Sequence, residues 1–214
     1  MGSARRWSSA LLIVLCLIVV VAMTPLRVVP LRWVGHALVS NDPLVRADIA
    51  IVPEWAGGAG ALEVADLIHD GMVDRVGVLA TPALREEQEF RRRGVAYEDQ
   101  AARLIHQMIA LGVQKPERLP TAATGTEAEG TELADWCRAN PVREMVIISP
   151  PDHSRRVRRV LRRSMGQCAA NVSVRTTRYS NFDPDHWFET RWGMRTAVTE
   201  LEKLILDVVR YPFS

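Results

Sequence analysis

From residue 47 onward, short apolar runs alternate with amphipathic stretches, and this alternation limits the possible folds more than any other feature of the chain. "ADIAIVP" (47–53), "VDRVGVLATP" (73–82), "ERLP" (117–120), "REMVIISP" (143–150) and "ANVSVRTT" (170–177) are short runs bounded by Gly, Pro or polar residues, as buried strands are. Between them, "ALEVADLIHDG", "YEDQAARLIHQMIALGV" (97–113) and "TGTEAEGTELADWCRAN" (124–140) keep helical spacing. The arginine-rich stretch after 150 and "WGMRTAVTELEKLILDVVRY" (192–211) do the same. In the last of these, Met194, Ala197, Val198, Leu201, Leu204, Ile205 and Val208 form the apolar stripe. Strands separated by helices predict a parallel sheet covered on both faces, with right-handed crossovers. The expected class is α/β: a Rossmann-like three-layer fold with a five-stranded, mostly parallel sheet. The first and fourth strands should be neighbours, with the third on the second strand's side.

The N-terminus reads differently. Ala10 to Met23 contains no polar residue, and no charge falls between Arg6 and Arg27. A membrane span needs about 20 mostly apolar residues, and 7–26 supplies them, with Trp7 suited to the interface. A cleaved signal peptide is the alternative, but no small-x-small site follows the run. The expected organisation is a cytoplasmic tail (1–6), one transmembrane signal anchor (7–26), a linker (27–46) and an α/β domain (47–214). The short tail favours an extracytoplasmic domain. The net charge of +2 is too small to indicate nucleic acid. Cys137 and Cys168 could pair in an oxidising compartment, although each also suits a small buried hydrophobe.

Open parallel sheets bind ligands beyond the carboxyl ends of their strands, where the strand order reverses. That rule selects "PEWAGGAG" with Gly57 and Gly58, "ATP", and "SPPDHS" with Ser149 and His153. A helix N-terminus there favours an anion. Residues 155–163 hold six arginines. Only Arg155 and Arg156 lie in the first turn, where they could join His153. Arg158, Arg159, Arg162 and Arg163 are expected to form a solvated face. Asp152 reads as an N-cap, and Thr126 as an N-cap with Glu129 at capping-box spacing.

Taken in order, these pieces resemble the SanA/YdcF/ElyC-like bacterial envelope family. "ADIAIVP" followed by glycines resembles its first strand and loop. "YEDQAARLIHQMIALGVQKPER" resembles its acidic helix, with Glu98 at the acidic position. "TGTEAEG" resembles its Thr-plus-acid motif, and "SPPDHSRRVRRV" its His-x-x-Arg signature, which assigns His153 and Arg156. "DPDHWFETRWGMRTAVTELEKLI" resembles a tail seen in some members, with Trp187, Arg191, Glu200 and Lys203. The turn "PEWAGGAG", the "ATPALREE" loop and Gly125-Thr126 with Glu129 depart from the family's usual forms. The resemblance implies a domain behind one anchor in the bacterial plasma membrane, linked to envelope and peptidoglycan precursor metabolism. It does not supply an established reaction.

Two classes of function follow. One is an enzyme acting on an anionic, phosphate-containing or lipid-linked envelope intermediate. His153 would serve as acid/base, Glu98 or Glu129 would orient it or activate water, and Arg156, Arg155 and Thr126 would hold the ligand. The other is a non-catalytic sensor or scaffold using the same pocket. S-adenosylmethionine is a possible ligand of either. The sequence leaves any cofactor unknown. G-x-G-x-x-G is absent and no acidic residue ends the second strand, which argues against NAD. The five histidines show no metal-ligand spacing. A carboxylate within reach of His153 would favour the enzyme.

Overall fold

The computed structural model describes residues 27–119, 124–168 and 170–213. The expected anchor and tail lie outside the described residues. Among those described, no helix is long and apolar enough to cross a membrane.

Five strands form one sheet: β1 (Ala47–Pro53), β2 (Val73–Leu79), β3 (Glu117–Leu119), β4 (Glu144–Ser149) and β5 (Asn171–Thr176). Their order is β3-β2-β1-β4-β5 and every pairing is parallel. β1 and β4 are neighbours and β3 lies beyond β2, as the alternation predicts. The helices are α1 (Val28–Leu38), α2 (Gly57–His69), α3 (Arg85–Arg92), α4 (Gln100–Ala110), α5 (Thr126–Ala139), α6 (Pro151–Ser164) and α7 (Arg191–Arg210).

Side chains alternate across a strand, and β1 uses both faces. Ala50 and Val52 join Val76, Val78, Val146 and Ile148 beneath α2 and α4. Ile49 and Ile51 join Met145, Ile147 and Val174 beneath α5 and α6. Burying each Val or Ile here is worth about 1.5–3 kcal/mol, so the central strands hold the three layers together. Cys137 of α5 and Cys168, after α6, are joined as a disulfide with Cα atoms 5.7 Å apart. Spacing alone favoured the unpaired state, because it could not show that the ends of these two helices meet.

Three other expectations are corrected. The segment read as a linker contains α1, whose Leu38 is buried with Phe182, Trp187, Ala197 and Leu204 in a third, smaller core. Trp187 Nε1 donates to the Leu31 carbonyl at 2.8 Å. The "ATPALREE" stretch read as a loop runs at Arg85 into α3, whose first turn is acidic and last turn basic, matching the helix dipole. The stripe of α7 is displaced. Ala197, Glu200, Leu204 and Asp207 are buried, whereas Val198 and Ile205 are more than half exposed.

Candidate active site

The strand order reverses between β1 and β4, and the chain leaves both at the same sheet edge. After β1, a 3-10 turn (Glu54–Ala56) presents Trp55. Glu54 is buried and fixes this turn: it accepts from the Ala101 amide at 3.1 Å and from the Thr81 hydroxyl. After β4, Pro150 and Pro151 start α6, which places His153 in its first turn. α5 starts beside it. Its N-cap, Gly125, has φ 99°, a value that favours glycine. Gly130 lets α5 pack tightly on α6, because a Cβ there would stand 2.9 Å from Val160 Cγ1.

His153, Arg156 and Glu200 form the centre, with side chains only 12%, 14% and 10% exposed. Glu200 Oε2 is 2.8 Å from His153 Nδ1. Arg156 Nη2 lies 2.8 Å from Nδ1 and 3.4 Å from Nε2. An atom this close to both ring nitrogens sits over the ring face, since their in-plane lone-pair directions point apart. Arg156 Nη2 therefore lies over the face of the imidazole rather than at its edge. The in-plane partner of Nδ1 is Glu200, which when ionised can only accept, so Nδ1 carries the proton. Nε2 is left as the basic nitrogen, 3.5 Å from Thr126 Oγ1. The ring edge rests against Trp55, with centroids 4.4 Å apart.

Burial pushes the His153 pKa below its ordinary value, and the Arg156 charge pushes the same way; the hydrogen bond to Glu200 opposes both. The ring is neutral at pH 7. Burial disfavours the Glu200 charge. The hydrogen bonds from His153 and Lys203 and the charge of Arg156 outweigh it and hold the carboxyl at about 2. Lys203 Nζ donates to Glu200 Oε1 at 2.7 Å. Arg156 donates to Glu200 through Nε at 3.1 Å and to Thr126 Oγ1 through Nη1 at 2.7 Å.

These groups line a cleft of about 470 Å³ with Trp55, Gly125, Glu129, Pro150 and Asp152. Glu129 accepts from Trp55 Nε1 at 2.9 Å. Its pKa is raised by burial and further by Glu54, against that hydrogen bond and the charge of Arg156. Burial also raises Asp152 to about 6. Both acids thus hold a proton more tightly than free carboxyls do. The starts of α5 and α6 meet at this cleft, and helix N-termini favour an anion. Among the described residues, no group of three or more His, Cys, Asp or Glu is arranged to hold a metal ion.

Of the residues selected from sequence, His153, Glu129, Arg156 and Thr126 come together at the cleft. The others do not. Glu98 pairs with His106 at 2.6 Å on an exposed surface. Its neighbour Asp99 caps α4 and binds Arg118. Arg155 turns away, donating to the Val39 carbonyl at 2.6 Å, where it closes the end of α1. Gly57 and Gly58 open α2 and are not among the cleft's lining residues. Ser149 is buried, and its hydroxyl donates to the Pro150 carbonyl. The N-cap of α6 is Pro150 rather than Asp152, and that of α5 is Gly125 rather than Thr126. No capping box forms at α5, because Glu129 is turned to Trp55.

Of the four arginines expected in a solvated face, Arg162 is exposed, but the other three are held by ion pairs. Arg158 bonds Ser40 and Asp42 in the connection between α1 and β1. Arg159 Nε and Arg163 Nη2 donate to Asp207 of α7 at 2.5 and 2.6 Å. Trp55 was not selected from sequence, and Glu200 and Lys203 were noted only as matches to a family tail, with no place in the site. A signal for Glu200 was present: two acids seven residues apart, Glu200 and Asp207, interrupt the apolar stripe of α7. Arg156, Arg159 and Arg163 recur at matching intervals on α6. A scan against protein-family models and a search of characterised proteins found no match to this chain.

Proposed function

We propose that this chain is a SanA/YdcF/ElyC-like, membrane-anchored enzyme acting on an anionic, phosphate-containing intermediate of the bacterial cell envelope. The observation that carries the reading is the His153–Glu200 contact, with Nε2 of a neutral imidazole turned toward a cleft that also holds Arg156 and Lys203. Glu200 fixes the tautomer and would stabilise the imidazolium formed when Nε2 takes a proton from water or a substrate hydroxyl. The anion would sit beside the two helix starts and Lys203, whose side chain holds Glu200 but is half-exposed, whereas Arg156 is largely buried between Glu200 and Thr126. Glu129, with its raised pKa, is suited to return a proton to a leaving oxygen. The Cys137–Cys168 pairing supports an oxidising, extracytoplasmic location for the domain.

The test is mass spectrometry of small molecules retained by the detergent-extracted full chain. Wild type and His153→Ala are compared before and after incubation with an envelope extract. The expected result is an anionic species enriched on His153→Ala and converted by wild type. Retention by both without conversion would make the protein a binding module instead. If neither protein retains or converts an anionic species, the reading is wrong.

A further inference from the structure

Two rows of side chains run side by side along α7. Gly193, Ala197, Glu200, Leu204 and Asp207 form the row buried against the domain. The neighbouring row, one residue further on at each step, is wholly apolar: Met194, Val198, Leu201, Ile205 and Val208. Leu201 is partly covered by the third core, but the other four are 41–60% exposed. The steps along this row are four, three, four and three residues, the spacing of a coiled-coil seam. Val198 and Ile205 take the a positions, and Met194, Leu201 and Val208 the d positions. The flanking g positions, Ala197 and Leu204, are buried and uncharged. The flanking e positions, Arg195, Glu202 and Val209, are exposed. Neither Arg195 nor Glu202 forms an ion pair among the described residues.

We propose that this seam packs against the same seam of a second copy of the chain, antiparallel about a two-fold axis. Charge complementarity selects this occupant and this direction. When Val198 lies opposite Leu201 of the second copy, Met194 lies opposite its Ile205. In an antiparallel pair e positions flank e positions, so Arg195 then stands beside Glu202 of the second copy. Symmetry repeats each of these contacts, as in any two-fold interface. In a parallel pair e positions face g positions. Here those are Ala197 and Leu204, and both charges would be left unmatched. A lipid surface would likewise give Glu202 no counterpart. The chain thus supplies both halves of the match, and the register that joins the charges is the one that aligns the apolar layers.

The test measures the mass of the detergent-extracted full chain by light scattering, with the detergent's share subtracted. Wild type should be a dimer at micromolar concentration. Ile205→Glu should be a monomer with an unchanged melting temperature, because the position is exposed in the single chain. Arg195→Glu should weaken the dimer by roughly two- to thirtyfold, since it removes two exposed ion pairs, and Arg195→Glu/Glu202→Arg should restore it. Register is read by cysteine cross-linking in a Cys16→Ala background. Met194→Cys/Ile205→Cys should form a disulfide-linked dimer. Within one chain the two positions are about 16 Å apart along the helix, so they cannot pair with each other. Neither single cysteine variant should cross-link. A monomeric wild type would overturn the proposal. A dimer that survives Ile205→Glu would do the same, leaving the seam to the bilayer or a different protein. Cross-linking by the single variants, none by the double variant, or a charge swap that fails to restore the dimer would each overturn the antiparallel pairing.

Discussion

His153 and Glu200, 47 residues apart in sequence, meet at 2.8 Å through Nδ1 and Oε2, and this contact determines which ring nitrogen is basic. Glu200 comes from the last helix, so the site is complete only when α7 has docked on α6. Nitrogen NMR of labelled histidine should show the His153 ring neutral at pH 7 with its proton on Nδ1. Glu200→Gln removes the interaction that raises the His153 pKa, so that pKa should fall further below its present lowered value. A base works only when deprotonated, so the acid limb of the pH–rate profile should move to lower pH in this variant. Turnover should also fall by about 10²–10⁴-fold. A limb that stays put or moves to higher pH would remove Glu200 as the positioning residue.

Asp207 should prove structural. Its carboxylate takes both Arg159 and Arg163, with the two guanidinium groups mostly covered. Removing one member of a largely buried ion pair leaves charges without their counterpart. Asp207→Ala should cost about 2–4 kcal/mol in chemical denaturation. Arg159→Ala and Arg163→Ala should each lower stability as well, contrary to the neutral outcome expected of a solvated face.

Asp152 should show the opposite sign. Burial raises its pKa from the ordinary 3.8 to about 6, so the folded state holds the proton more tightly than the unfolded chain does. Stability attributable to this group is therefore lost as pH rises from about 4 to 6, by up to about 3 kcal/mol. Asp152→Asn should stabilise the protein by about 1–3 kcal/mol at pH 7 and be nearly neutral below pH ~4. Glu200, held at about 2 below its ordinary 4.5, behaves in reverse: its contribution is present above pH ~4.5 and lost as pH falls through 2.

Gly35 tests whether α1 belongs to the domain. A Cβ there would stand 2.1 Å from the Pro184 carbonyl oxygen and 2.7 Å from Trp187 Cδ1. Gly35→Ala should force α1 off the 182–188 segment and cost about 1–3 kcal/mol. The loss would appear as a lower melting temperature and a more exposed Trp187 in fluorescence. An unchanged melting temperature would mean that α1 contributes little to the folded domain.

The periodicity of the chain was sufficient for the α/β class, for five strands within three residues of their ends, and for the neighbour relations of β1 with β4 and β2 with β3. These follow from local rules: a buried parallel strand reads as a continuous apolar run, and right-handed crossovers leave few orders for five strands. The same rules located His153, Arg156, Thr126 and Glu129, because strand ends and helix starts are local features. They misplaced Glu98, Arg155, Gly57, Gly58 and Ser149, which stand near such ends but point elsewhere. Where a side chain points depends on what packs against it. Only tertiary structure brought Glu200 to His153, Asp207 to Arg159 and Arg163, and Cys137 to Cys168. Each pair joins segments separated by more than 25 residues, and no local preference encodes their approach. The arginines of α6 are the plainest case. In sequence they are a charged face, which ordinarily belongs in water. In the fold Arg156, Arg159 and Arg163 lie under a helix whose buried stripe carries two carboxylates, and the charge match makes burial tolerable.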